Sequence, residues 1–252
     1  MPSLSIFFPF YNDAGTVKKM ITDAYQYGSL FTSDLEVIAV NDGSQDHTLS
    51  ELEKMKQKFP ELKIINHEQN KGYGGALQSG IKSTTKEWVF YTDGDAQYHL
   101  DELEKLWQYI PQYDFVNGYK IRRSDGFIRT YIGIAYRRMT KLVFGIPIKD
   151  VDCDFRLMRG DLIRNIDFEF TSGAITVELV KKMSFQTNKI KEVPVHHYDR
   201  VYGKSSFFNF SRISETLKDE IKLIATLKKI KKKKEHERKS AIKVESELNA
   251  IQ

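Results

Sequence analysis

The sequence predicts an α/β fold: a mostly parallel sheet flanked by helices, followed by an amphipathic C-terminal helix. Short apolar segments alternate with helical patterns of about 10–15 residues through the first half, as in successive βαβ units. Apolar residues are 40% of the 252 positions and aromatics 12%, enough for the core of one large domain. The distinctive polar residues fall just after the predicted strands, where such sheets bind their ligands.

Leu4–Phe10 is the first strand, and Val17, Met20, Ile21 and Ala24 give the next segment one apolar helical face. Leu35–Val40 is the second strand. The helix after it has Asp46 or Thr48 as its cap. Lys63–His67 is the third strand, followed by a Gly-rich turn and a helix over Ala76–Ser83. Trp88–Thr92 precedes a helix over Leu100–Ile110, and DFVNGYKI supplies another strand. Phe127–Phe144 has Ile128, Ile132, Ala135, Met139, Leu142 and Val143 at helical spacing, interleaved with Arg129, Arg137, Arg138 and Lys141. Asp150–Arg156 reads as a polar acidic loop, followed by a short helix around Asp161–Ile166 and one capped by Ser172. KIKEVPVHHY is a strand whose Pro194 assigns it to an edge. From Asn209 the spacing of Ile213, Leu217, Ile221, Ile224 and Leu227 predicts a long helix, with the last dozen residues frayed. We therefore expect an α/β domain over residues 1–208 and a basic helix and tail over 209–252.

One cysteine, Cys153, excludes an intramolecular disulfide and fits a reducing compartment. We expect no signal peptide and no membrane span. The net charge of +5 is concentrated, with a lysine run at Lys228–Lys234. That run has no interleaved base-stacking residues, so nucleic acid is not the expected partner.

The first four strands end in PFYND, NDGSQD, HEQNKGYGG and DGDAQ. Any one of these reads as a turn, because Asp-Gly pairs are ordinary turn chemistry. Four on the same edge of one sheet point to a ligand. Asp93 and Asp95 are hard oxygen donors suited to Mg²⁺ or Mn²⁺ holding a phosphate, and Gln97 adds a neutral oxygen. Asp42 suits a base or a ribose. Gly72, Gly74 and Gly75 allow close backbone approach beside Lys71.

FPFYND, VNDGSQDHT, NKGYGGAL and DGDAQ, in that order, resemble the nucleotide-sugar half of inverting family-two glycosyltransferases of GT-A fold. RRSDGFIR, DVDCDFRL and HHYDRVYGKSSFF narrow the likeness to polyprenyl-phosphate sugar transferases, the group of dolichyl-phosphate mannose synthase. The resemblance covers roughly Leu4 to Arg212. It implies a Rossmann-like sheet and transfer of a hexose from a nucleotide-diphosphate sugar to a dolichyl- or undecaprenyl-type phosphate. By that likeness Pro9, Tyr11 and Asp13 frame the nucleotide, Asp42 meets the base and Gly74 approaches the donor beside Lys71. Asp93, Gly94, Asp95 and Gln97 hold metal and diphosphate, while Arg122 and Arg129 meet the acceptor phosphate. Asp150, Asp154 and Arg156 close the sugar site, and Arg200 and Lys204 cover the diphosphate. Asp154 stands where many members carry a small residue, so the base, if any, is left open between Asp150 and Asp154.

A phosphomonoester has its second pKa near about 6 and needs no base, only positioning by arginines. Arg122, Arg123 and Arg129 therefore favour a phosphate acceptor. The rival readings are a transferase acting on a hydroxyl of a glycan, a nucleotide-sugar-binding scaffold and, more weakly, a nucleotidyltransferase. The basic amphipathic helices imply a cytoplasmic protein lying on the cytoplasmic membrane face or on a membrane-anchored partner. The pattern also allows a homo-oligomer.

Overall fold

The computed structural model describes residues 2–121, 138–200, 202–203 and 210–249. Strand β1 (Leu4–Phe10) leads into α1 (Ala14–Gly28), β2 (Leu35–Asn41) into α2 (Thr48–Lys58), and β3 (Lys63–Asn66) into α3 (Gly72–Ser83). After β4 (Trp88–Thr92) come a short 3₁₀ turn (Leu100–Glu102) and α4 (Leu103–Trp107). Then follow β5 (Phe115–Lys120), β6 (Phe155–Arg159), α5 (Gly160–Arg164), α6 (Ile175–Gln186), β7 (Ile190–Val195) and α7 (Phe210–Asn249). The strands form one seven-stranded sheet in the order β3-β2-β1-β4-β6-β5-β7. All neighbours are parallel except β6, which runs antiparallel to both β4 and β5.

Strands covered on both faces read as continuous apolar runs, and side chains alternate between the faces. Leu4, Ile6, Phe8 and Phe10 of β1 join Val37 and Ala39 of β2 in one core, with Trp88 and Phe90 of β4. Phe7, Ile38, Val40, Val89 and Tyr91 enter the other core, on the opposite face. Pro9 sits in a central strand, but the pairing of β1 with β4 ends at Phe7 and Tyr91. Its missing N–H therefore falls where the ladder has stopped. Pro194 lies on the edge strand β7, as its sequence predicts.

Four expectations need correction. Asp150–Arg156 is not wholly loop, because Phe155–Arg159 is strand β6 in the interior of the sheet. Two arginines in a five-residue run hid its alternation. Phe155 and Leu157 enter one core and Met158 the other, while Arg156 is fully buried. The helix expected from Ala76 begins at Gly72, inside the Gly-rich turn. Gly74 has to be glycine for packing: a Cβ there would lie 2.5 Å from the Phe170 carbonyl oxygen. Ser172 is not the cap residue of α6, although its hydroxyl accepts the Ala174 N–H at 3.3 Å. The cap position of α2 is His47, not Asp46 or Thr48, although Asp46 Oδ1 accepts the Thr48 N–H at 2.9 Å.

Helix α7 runs to Asn249, through much of the stretch expected to fray. Its inward face is set by Glu220, Leu223 and Leu227, with Ile224 and Ile230 partly buried against the second core. Burying a leucine contributes roughly 1.5–3 kcal/mol, so this face docks α7 on the domain. Leu217 and Ile221, expected on the same stripe, are 46% and 69% exposed. Of the helix expected over Phe127–Phe144, residues 138–144 are described and helical. Leu142 there is 85% exposed and Val143 50%.

Candidate active site

The C-terminal ends of β1, β2, β3 and β4 converge, and each delivers polar residues to the same edge. Asp13 follows β1 and caps no helix with its side chain, because its carboxylate faces the site. It accepts the Tyr11 N–H at 3.2 Å and pairs with Arg200 at 3.3 Å. The same guanidinium reaches Asp95 Oδ2 at 2.5 Å, so Arg200 bridges the ends of β1 and β4. Tyr202, in the same loop, lies against α1: a Cβ on Gly15 would come within 2.3 Å of its ring.

Around β4 three carboxylates gather. Asp93 accepts a hydrogen bond from the Tyr73 hydroxyl at 2.9 Å. Asp154 accepts one from Tyr91 at 3.1 Å and stands 3.4 Å from Arg156 Nη2. The Asp93 carboxyl is held well above the usual range, first by burial, then by the charges of Asp154 and Asp95. Asp95 is also raised, chiefly by burial, against the pull of Arg200 and of the Gln97 N–H. Burial likewise keeps both tyrosine phenols protonated, so they stay donors. Asp93 and Asp95 are thus carboxyls whose ionisation a nearby cation would favour.

Residues with left-handed backbone flank Asp13 and Asp95. Among the described residues, the non-glycine positions with positive φ are Asn12 (57°) and Ala96 (61°). Such backbone costs roughly 1 kcal/mol or more for an alanine and gathers at functional sites. Ala96 turns the chain so that Asp95 Oδ1 meets the Gln97 N–H at 3.0 Å. Gly94 is pinned by its N–H to the Pro9 carbonyl at 3.2 Å, and its own carbonyl accepts from Thr16 at 2.6 Å.

Other expected residues are placed less simply. Gln97 donates through its side-chain amide to the Tyr198 carbonyl at 2.9 Å, which ties it to the Arg200 loop. Asp150 lies beside β5, accepting the Lys120 N–H at 3.2 Å. Lys71 uses its backbone N–H on Asp42 at 2.8 Å, and its side chain is exposed. Arg122, Arg129 and Lys204 lie outside the described residues. Tyr73, Tyr91 and His67 were not singled out from sequence. Tyr73 stands inside the Gly-rich motif and His67 closes β3, so their positions were signals, whereas Tyr91 was hidden in an apolar strand.

Asp13 gives a pH prediction. Its carboxyl is raised from 3.8 to about 6, chiefly by burial, with the charge of Asp95 adding and the Tyr11 N–H opposing. A carboxyl raised by folding stabilises the fold most when protonated. That contribution is fully present below the unfolded value and is lost as pH rises through about 6. Relative to Asp13→Asn, the wild-type protein should lose up to about 3 kcal/mol between about pH 4 and pH 7. Urea denaturation of the metal-free pair across that range checks it, and a pH-independent difference would contradict it.

Residues 5–167 match the family model described as Glycosyl transferase family 2. The chain belongs to glycosyl transferase family 2. Its relatives include the dolichyl-phosphate beta-glucosyltransferase of Saccharomyces cerevisiae, 26% identical over 78% of this chain and 67% of that protein. An enzyme of the same name from Trichomonas vaginalis is 25% identical over 62% of this chain and 51% of its own length. The undecaprenyl-phosphate 4-deoxy-4-formamido-L-arabinose transferase of Enterobacter sp. is 24% identical over 88% and 68%. This family-2 chain thus spans between half and about two thirds of those relatives. Among solved structures, the glucosyl-3-phosphoglycerate synthase of Mycobacterium tuberculosis with Mn²⁺ and UDP-glucose matches with a TM-score of 0.68. It is 15% identical, over 90% of this chain and 79% of that one. At that identity the likeness shows the fold, a GT-A sheet with flanking helices.

Proposed function

We propose that this family-2 enzyme moves a hexose from a nucleotide-diphosphate sugar to a polyprenyl phosphate, with inversion and with the help of Mg²⁺ or Mn²⁺. The observation that carries the reading is the pair Asp93 and Asp95 at the end of β4, both raised by burial and by neighbouring carboxylate charge, with Asp154 beside them. Relatives named for dolichyl and undecaprenyl phosphates support the acceptor class.

The donor set fits a divalent cation. Among the described residues no three His, Cys, Asp or Glu side chains form a closed cage. Mg²⁺ and its kin need only one or two carboxylates, with water and substrate phosphates completing the shell. Asp93 and Asp95 would hold the ion, which would neutralise charge on the departing diphosphate as a Lewis acid. Arg200, now on Asp95, would turn from that carboxylate toward the diphosphate, and Lys71 and Lys204 would add charge. Tyr73 keeps Asp93 oriented.

At the acceptor, an already ionised phosphate oxygen forms the new bond to the anomeric carbon from the face opposite the diphosphate. The bond to the diphosphate oxygen breaks, and the nucleoside diphosphate leaves with the electron pair. No proton has to be removed, which fits an Asp154 fixed by Tyr91 and Arg156 as an orienting group. Arg122 and Arg129 are assigned to the acceptor phosphate, whose planar recognition suits guanidinium.

Residues 1–208 would form the catalytic domain and 209–252 a basic helix that meets the lipid surface. Among the described residues no helix is long and apolar enough to cross a membrane. The exposed Leu142, Val143, Leu217 and Ile221 supply apolar contact for a peripheral site on the cytoplasmic membrane face or a membrane-anchored partner. The test is transfer of radiolabel from a panel of nucleotide sugars to a short polyprenyl phosphate in detergent with Mn²⁺. Label in the lipid supports the reading. Tight donor binding without lipid labelling would overturn the acceptor assignment.

A further inference from the structure

Strand β7 is an edge of the sheet, yet its C-terminal end points to the same side as those of β1 and β4, because β4 and β5 both run against β6 and β7 runs with β5. Arg200 lies five residues past Val195, the last residue of β7. Three strand spacings separate β7 from β4, about 14 Å, and five extended residues reach about 17 Å. The chain from His196 to Arg200 therefore crosses back over β5 and β6 nearly taut. On the way the His196 N–H donates to Glu102 Oε2 at 3.0 Å and the Tyr198 N–H to the Gln97 carbonyl at 2.8 Å. The Gln97 side-chain amide returns a bond to the Tyr198 carbonyl at 2.9 Å, and the rings of Tyr198 and His99 stack at 4.0 Å. Gln97 belongs to the same turn as Asp95, so this strap is fastened to the turn that Arg200 meets two residues later.

Arg200 meets a pair of acids there. Nη1 donates to Asp13 Oδ1 at 3.3 Å and Nη2 to Asp95 Oδ2 at 2.5 Å, while Asp95 Oδ1 accepts the Gln97 N–H at 3.0 Å. Both oxygens of Asp95 are thus engaged. Asp13 and Asp95 are buried, and the guanidinium that spans them is a quarter exposed. It covers two carboxylates from different strands with one positive charge, which is also what a bound cation would do.

We propose that Arg200 is an internal stand-in for the cation: it holds Asp13 and Asp95 in the metal-free protein, and a divalent ion gains Asp95 only by displacing it. The proposal rests on the cation site argued above. An ion at Asp95 Oδ2 would stand beside a like charge, so ion and guanidinium exclude one another there. The displaced guanidinium has its next partner in the diphosphate, whose oxygens suit its planar fork. Entry of the ion and capture of the diphosphate become one exchange, and the ion alone binds more weakly than the acids by themselves would allow.

The test is titration of Mn²⁺, followed by loss of the paramagnetic resonance signal of the free ion, into the wild-type chain and the Arg200→Met, Arg200→Lys and Lys120→Met variants. Lys120 is the control, because its charge also acts on Asp95 while its ammonium is bonded to the Asp152 carbonyl at 2.6 Å. Arg200→Met should bind Mn²⁺ about tenfold tighter than wild type, the value of one charge-assisted hydrogen bond. Arg200→Lys keeps the charge but cannot span both acids, so its affinity should fall between the two. It carries the test if Arg200→Met fails to fold. Lys120→Met should change the affinity by less than about threefold. With Mn²⁺ saturating, calorimetric titration of UDP and of GDP should show the opposite sign: Arg200→Met should bind the nucleotide that wild type prefers about tenfold more weakly. A merely structural role would weaken ion and nucleotide alike, and that result overturns the proposal. Arg200 variants that bind Mn²⁺ no tighter than wild type also overturn it. So does equal tightening by Lys120→Met, since loss of charge alone would then account for the effect. If Mn²⁺ binds none of these chains, the cation reading falls as well, a result distinct from equal binding by all of them.

Discussion

Asp95→Asn is expected to lower sugar transfer by roughly 10³-fold or more, because it removes charge from the group that would hold the cation against the departing diphosphate. The same substitution should leave the metal-free fold intact. The Asp95 carboxyl is raised by burial and by Asp154, so ionising it costs the fold something that the amide avoids. Against that gain stands the loss of the charge-assisted bond from Arg200 at 2.5 Å. The two effects oppose one another at similar size, and the melting temperature without metal should shift little. The response to cation should change far more. Wild-type protein should gain thermal stability on adding Mn²⁺, since a ligand that binds only the folded state stabilises it, and Asp95→Asn should not. Thermal melts with and without Mn²⁺ test the site without relying on turnover. An equal Mn²⁺ shift in both proteins would show that Asp95 does not hold the ion.

Much of this arrangement was legible in the sequence, for a physical reason. A parallel sheet buried on both faces forces apolar runs, so β1, β2 and β4 announce themselves as LSIFFPF, LEVIAV and WVFYT. Because ligands collect at one edge of such a sheet, Asp13, Asp42, Asp93 and Asp95 follow from strand direction alone. The strand β6 did not announce itself. Its antiparallel run joins two halves of the sheet, and nothing local marks FRLMR as central when two of five residues are arginines. Arg156 is tolerated there only because carbonyls from the preceding loop and a carboxylate reach it, which is tertiary information. Tyr91 and His67 are of the same kind. Each looks like an ordinary strand residue until register sets it beside an aspartate. The helix α7 shows the converse. Its apolar spacing was plain, but which face docks was not, and Leu217 and Ile221 lie outside the face that Leu223 and Leu227 bury.

Arg156→Met should be the most destabilising of the substitutions considered. Arg156 is fully buried, opposite Tyr91 in the register of β4 and β6, with its guanidinium 5.6 Å from the centre of that ring. It donates through Nε to the Cys153 carbonyl at 3.1 Å and through Nη2 to the Val151 carbonyl at 2.5 Å, and it faces Asp154 at 3.4 Å. Burial alone would favour loss of its proton, but the neighbouring Tyr91 and Asp154 outweigh that and hold the group firmly charged. Replacing a whole buried ion pair with apolar residues is often neutral, whereas removing one partner strands the other. Methionine fills similar volume but leaves two carbonyls and a carboxylate without their donor. The expected cost is about 3–5 kcal/mol, a fall in melting temperature on the order of 10 °C for a chain of this size. Asp154→Asn in the same chain should recover part of it, because the stranded charge is then gone. A double-mutant cycle over these two positions measures that coupling. If Arg156→Met melts with the wild type, or if the two losses simply add, the guanidinium is not what compensates the acids beneath the sugar site.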